Sequence, residues 1–184
     1  MAWLQGGAFA LGTLVLVALS WRALQRPKSH GFYRFFAWEA ILALLVLNGP
    51  QWFVDRFSAH QLVSWGLLFA SLLVLFPGLY QLRRMGRPNE QRTDAELFAF
   101  ERTSQLVTSG IYSHIRHPLY ASLILLAWGL ACKQPNGLSL VLSLLASLTL
   151  WLTAKRDEAE CLQQFGEAYR DYMQRSRMFI PWVI

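Results

Sequence analysis

Two short clusters of reactive residues stand against long apolar runs. In SGIYSHIRHPLYASLILLAWG, residues 109 to 129, Arg116, His117 and Pro118 come directly before an uninterrupted apolar stretch. Pro118 suits the first position of a helix, because it has no N–H to leave orphaned and its φ is already helical. A helix starting there presents free N–H groups and the positive end of its dipole. Arg116 and His117 add charge to that end, with Tyr120 one turn into the helix. The combination is an anion-binding corner at a membrane threshold. The same two cations would serve equally to anchor the helix to phosphate headgroups. A metal site on His114 and His117 at i, i+3 is a weaker reading, since no further ligands converge on them in sequence.

The second cluster is in TAKRDEAECLQQFGEAYRDYMQRSRMFIPWVI, residues 153 to 184. Leu162, Phe165, Tyr169 and Tyr172 recur at steps of three and four, which predicts that a fifth helix continues past the membrane as an amphipathic helix. Four residues back from Leu162 is Glu158, on the apolar stripe; Asp157 lies toward its side and Glu160 opposite it. A carboxylate on a face that packs against protein needs a cation, either as a structural ion pair with Arg116 or another loop arginine, or as part of a ligand site.

The elements that carry these clusters are membrane helices. Of the 184 residues 54% are hydrophobic and 15% charged, with eight tryptophans, a composition too apolar for an ordinary water-soluble domain. Three apolar windows are long enough to cross a bilayer, Ala2 to Trp21, Phe35 to Phe53 and Leu62 to Leu82. Two more, Leu119 to Cys132 and Leu138 to Ala154, form a helical hairpin around the turn KQPNG, and the first of them is short for a straight crossing. The expected fold is an all-α, single-domain bundle of about five transmembrane helices, with three N-terminal helices (residues 1–82) and a catalytic, cofactor-binding half (83–184). Its first segment lacks a basic start and a small-residue cleavage site, so it reads as a retained anchor.

Fifteen of the 17 Lys and Arg residues fall in three stretches, 22–34, 83–116 and 155–177, on one side of this arrangement. The positive-inside rule puts that side in the cytoplasm, the N-terminus outside and the C-terminus inside. The net charge of +6 is thereby accounted for by topology and by attraction to anionic membrane lipids, not by nucleic acid. Cys132 and Cys161 fall at opposite ends of the bundle, too far apart for a disulfide. No zinc-ligand spacing, glycine-rich phosphate loop or transporter-like repeat is present. Glu39 is an acid about one turn inside the second segment, placed to reach headgroups or Arg34 or to take part in function.

LVTSGIYSHIRHPLY followed, after one apolar hairpin, by DEAECLQQFGEAYRDYM resembles the isoprenylcysteine carboxyl methyltransferase family and, more distantly, the membrane phospholipid methyltransferases; the resemblance covers roughly residues 101 to 181. It implies a multi-pass enzyme, as in a bacterial inner membrane, that binds S-adenosylmethionine in a cytoplasmic-side pocket and methylates a lipophilic small-molecule thiol, carboxylate or amine. It assigns the cofactor to Leu106, Val107, Tyr112, His117, Pro118, Tyr120, Asp157 and Glu158, with Arg116 and Glu158 at the catalytic centre. Two positions depart from the pattern: Ser122 stands where glycine is usual, and Thr153 replaces an arginine on the substrate side. The second departure disfavours a carboxylate acceptor. An amine or thiol acceptor must first lose a proton, to water or to Glu39, which with Thr153 makes the expected substrate side. A phospholipid N-methyltransferase and a non-enzymatic membrane module are the alternatives.

Overall fold

The computed structural model describes residues 2–86 and 104–181. They form six helices: α1 (Ala2–Leu24), α2 (His30–Asn48), α3 (Ala59–Met85), α4 (Pro118–Ala131), α5 (Gly137–Phe165) and α6 (Glu167–Arg175). Strands are absent among the described residues, where one isolated bridge joins Ile115 to Arg177. Four helices (α1, α2, α3 and α5) are long and apolar enough to cross a membrane, and α4, with 14 residues, is a shorter apolar helix. The chain is an integral membrane helical bundle.

Three boundaries differ from the sequence expectation by five residues or more, each for a local reason. Helix α2 begins at His30, not Phe35, because the Ser29 hydroxyl accepts from the Phe32 N–H and caps a turn that hydropathy leaves out. It ends at Asn48, where Gly49 and Pro50 turn the chain into a 3-10 segment. Helix α5 runs past Ala154 to Phe165 but not into the tail. Gly166 has φ 56° and ψ −128°, a conformation that L side chains avoid, and the chain turns there into α6. The continuous amphipathic helix expected over this region is therefore two helices.

Helix α2 packs along α5 and α3 along α4, α4 and α5 form the hairpin, and α1 leans on α2. The middle of the bundle is built on small residues among branched ones, Ala40, Ala127, Ala131 and Ala146 with Ile41, Leu44, Leu68 and Leu130, which bring the helices close. Hydroxyls tie neighbouring backbones together: Ser64 donates to the Gly129 carbonyl at 2.7 Å and Ser71 to the Ser122 carbonyl at 2.8 Å. Phe69, Leu73 and Phe76 on α3 point outward, as expected of a lipid-facing surface. At the end remote from the charged loops, Asn48 donates to the Leu130 carbonyl at 2.9 Å and Gln61 to that of Lys133 at 3.2 Å. Lys133, in the KQPNG turn, is buried, with Nζ 3.0 Å from Gln61 Oε1 and 3.6 Å from the Trp65 ring centroid.

These contacts level α3, α4 and α5 at the remote end, and their unequal lengths appear at the other. At 1.5 Å per residue α4 is about 21 Å long, α3 about 40 Å and α5 about 44 Å. The first turn of α4 meets α3 at Gly78, where an added Cβ would lie 3.2 Å from the Pro118 ring. Past that level α3 continues to Met85, and α5 continues beyond Asp157 to Phe165. The start of α4 is thus the floor of a recess walled by its longer neighbours.

Candidate functional site

The loop from Ser104 to His117 descends into this recess and is held at several points. Gly110 has φ +58°, and a Cβ there would overlap the side-chain amide of Gln81; the same amide's Oε1 accepts from the Ile111 N–H at 3.1 Å. Closer to α4 the loop pairs with the segment after α6. Arg116 N–H donates to the Arg177 carbonyl at 2.7 Å, His117 N–H to that of Met178 at 3.1 Å, and Arg177 N–H to that of His114 at 3.0 Å. Tyr172 Oη adds a bond to the Tyr112 carbonyl at 2.6 Å.

Arg116 is paired within the chain, not turned to an anion in the recess. Its Nε lies 2.8 Å from Glu158 Oε1, and Nη1 donates to the carbonyls of Met173 and Ser176. Glu158, 3% exposed, is sealed beneath the recess by this contact and by Lys155 Nζ at 3.4 Å. His117, 6% exposed, stands at the N-terminus of α4 between two acids, with Nδ1 3.5 Å from Asp157 Oδ2 and Nε2 3.6 Å from Glu158 Oε1. Its ring is stacked on Tyr120 at 5.4 Å, and the Tyr120 hydroxyl donates to Asp157 at 3.2 Å. Burial works against an imidazolium here, but the two carboxylates outweigh it and hold the His117 pKa above the ordinary histidine value. Nε2 has no hydrogen-bond partner among the described residues. Burial pushes the phenols of Tyr169 and Tyr172 up, so both remain hydrogen-bond donors. The anion corner expected from sequence is instead an alternating set of cations and carboxylates.

The recess has a cavity volume of about 130 Å3 and opens to solvent. Of the residues singled out from sequence, it is lined by Leu106, Val107, Tyr112, Arg116, His117, Pro118, Tyr120 and Asp157. Glu158 lies behind that surface. Thr153 and Glu39 do not line it. Thr153 is fully buried and donates to the Thr149 carbonyl at 2.7 Å, while Glu39 turns toward α1 and accepts from Thr13 Oγ1 at 2.9 Å. His114 is exposed and bonded to Ser113, and no cluster of metal ligands exists among the described residues.

The recess also uses residues not assigned to a site from sequence. Alongside Asp157, Glu160, Cys161 and Gln164 line it at i+3, i+4 and i+7 of α5, and His30 joins them from α2. Glu160 was expected on the opposite face; instead its Oε2 lies 2.7 Å from His30 Nδ1. The spacing of these residues makes a polar stripe, which faces the recess together with Phe165 of the neighbouring apolar stripe.

A model of the phospholipid methyltransferase family matches residues 63–169. Among curated relatives, methanethiol S-methyltransferase 1 of Bradyrhizobium diazoefficiens is 29% identical over 165 residues, 86% of this chain and 56% of the relative. Protein-S-isoprenylcysteine O-methyltransferase of Schizosaccharomyces pombe is 34% identical over 82 residues, 42% of this chain and 34% of the relative. The delta(14)-sterol reductase TM7SF2 of Mus musculus is 35% identical over 82 residues, 43% of this chain and 20% of the relative. The chain spans between a fifth and just over half of the length of these relatives. No solved structure matches. The matched span starts on α3 and holds the RHPLY turn, the hairpin and both acids of α5, well over half of the sequence, and the chain accordingly belongs to the phospholipid methyltransferase family.

Proposed function

We propose that the chain is a membrane methyltransferase that takes methyl groups from S-adenosylmethionine and passes them to a lipophilic small molecule. The recess opens to the cytoplasm of a bacterial inner membrane, with the N-terminus outside and the C-terminus inside. The observation that carries this reading is His117, set between Asp157 and Glu158 at a helix N-terminus on the floor of the recess. Alternating cation and carboxylate suits a zwitterionic amino acid, and the tyrosines and Phe165 suit a flat base. His117 and the first N–H groups of α4 would hold the cofactor's carboxylate, and Asp157 its ammonium or ribose. Bound there, the cofactor supplies an electrophilic methyl group on a sulfonium. Leu82, Leu106 and Leu119 supply apolar surface for the acceptor.

Thr153 has no access to the recess and Arg116 is committed to Glu158, so neither offers charge to an acceptor's carboxylate. A neutral protic acceptor, above all a thiol, is the class this favours, in keeping with the relatives named methanethiol S-methyltransferase. Titration calorimetry of detergent-solubilised protein with S-adenosylhomocysteine tests the cofactor assignment. Wild type should give a saturable heat that His117→Ala and Glu158→Ala lose while remaining in the membrane fraction. Silence from well-folded wild type would overturn it. Incubation with methyl-labelled cofactor and membrane lipid extract then identifies the acceptor.

A further inference from the structure

Tyr120, Tyr169 and Tyr172 line the recess, and their hydroxyls are not used alike. Tyr120 Oη donates to Asp157 at 3.2 Å, and Tyr172 Oη donates to the Tyr112 carbonyl at 2.6 Å, which fastens α6 to the loop. Tyr169 is set as deeply as these two, at 3% exposed, and its ring stands edge-on to that of Tyr172 with centroids 5.8 Å apart. Its hydroxyl has no hydrogen-bond partner among the described residues. A phenol buried without a partner costs its desolvation, and phenylalanine would give the same packing without that cost. The oxygen is accounted for by a partner that enters the recess.

The surroundings of the ring define that partner. Burial, Cys161, Asp157 and Glu158 push the Tyr169 pKa up against the pull of Arg116, so the group is a donor at neutral pH and selects an acceptor atom. Tyr169 belongs to α6, beyond the Phe165 end of α5. The α5 residues that share its wall, Cys161, Gln164 and Phe165, lie about 6–12 Å further along the helix axis than Asp157. A ligand whose amino-acid end is seated at His117 and Asp157 reaches this level with its nucleoside. Resting on the S-adenosylmethionine reading above, we propose that the Tyr169 hydroxyl is a cofactor contact that donates a hydrogen bond to an oxygen or ring nitrogen of the bound nucleoside. One phenol of α6 then ties the helix to the loop, and the other ties it to the ligand.

Two matched variants test this. Tyr169→Phe removes an oxygen reserved for the ligand, and Tyr172→Phe removes one used within the chain. In detergent and without ligand, Tyr169→Phe should keep a thermal midpoint equal to wild type or above it, whereas Tyr172→Phe should lower it. By titration calorimetry Tyr169→Phe should bind S-adenosylhomocysteine about 2- to 13-fold more weakly, the loss of one neutral hydrogen bond. 5′-Methylthioadenosine, which keeps the nucleoside and lacks the amino acid, should lose the same factor. Wild-type affinity for S-adenosylhomocysteine, a loss confined to S-adenosylhomocysteine, or an unliganded midpoint lowered as far as in Tyr172→Phe would overturn the assignment. Absence of S-adenosylhomocysteine binding by well-folded wild type would instead overturn the cofactor reading on which it rests.

Discussion

His117 and Arg116 adjoin in sequence and meet the same acid, yet they do different work. Arg116 closes the loop onto α5 and the C-terminal segment, with side chains 10% and 4% exposed at its contact with Glu158. Removing one partner of a buried pair leaves an uncompensated charge, at a cost of about 3–5 kcal/mol. Arg116→Ala should therefore lower the thermal midpoint in detergent by several degrees. Arg116→Lys should recover only part of this, because a point cation cannot reach Glu158 and two carbonyls together. His117 instead contributes through titration. Its folded-state pKa lies above the ordinary value of 6.5, so its stabilisation is complete below that value and disappears as pH rises through the folded-state pKa. The thermal midpoint and the affinity for S-adenosylhomocysteine should both decline on the alkaline side of pH 6.5. His117→Gln should flatten that part of both profiles, and an unchanged slope in the variant would exclude His117 as the titrating group.

Among the elements, the unequal lengths of α3, α4 and α5 make the recess, and the break after Phe165 closes it. Gly166 has open space where a Cβ would go, so substitution meets no clash and its cost is conformational. Gly166→Ala should destabilise by about 1–3 kcal/mol. It should also weaken S-adenosylhomocysteine binding by letting α5 run on and drawing Tyr169 and Tyr172 off the recess wall. A denaturation midpoint equal to wild type would contradict this. Thr153 is at the opposite extreme, fully buried and bonded back to Thr149. An arginine placed there enters a packed helix interface, so Thr153→Arg should reduce the folded yield in detergent without creating a carboxylate-binding site.

For the whole molecule, two kinds of polar end define the bundle. One holds the loops and the recess; the other buries Lys133 between Trp52, Trp65 and Gln61. The proposed orientation, with the recess on the cytoplasmic side, predicts that reporter fusions at the C-terminus are active only in the cytoplasm and fusions at the N-terminus only outside. The reverse pattern would place the cofactor site away from its supply.

Helix existence, the membrane class and the RHPLY and acidic clusters were legible in the sequence, because hydropathy and helical spacing are local properties that each segment expresses by itself. So was the need of Glu158 for a cation, since its place on an apolar stripe depends only on the 100° step. The identity of that cation among the loop arginines depended on the C-terminal segment pairing with residues 115–117, a contact across 60 residues. Likewise, Glu160 reads as solvent-facing on its own helix and becomes a partner of His30 only because α2 packs along α5, 130 residues away in sequence. Glu39 and Thr153, both expected on the substrate side, were turned away by the same packing, one toward α1 and one into the α5 interface. Periodicity gives the angle of a side chain around its own helix axis; which neighbour occupies that angle is settled only when the helices assemble.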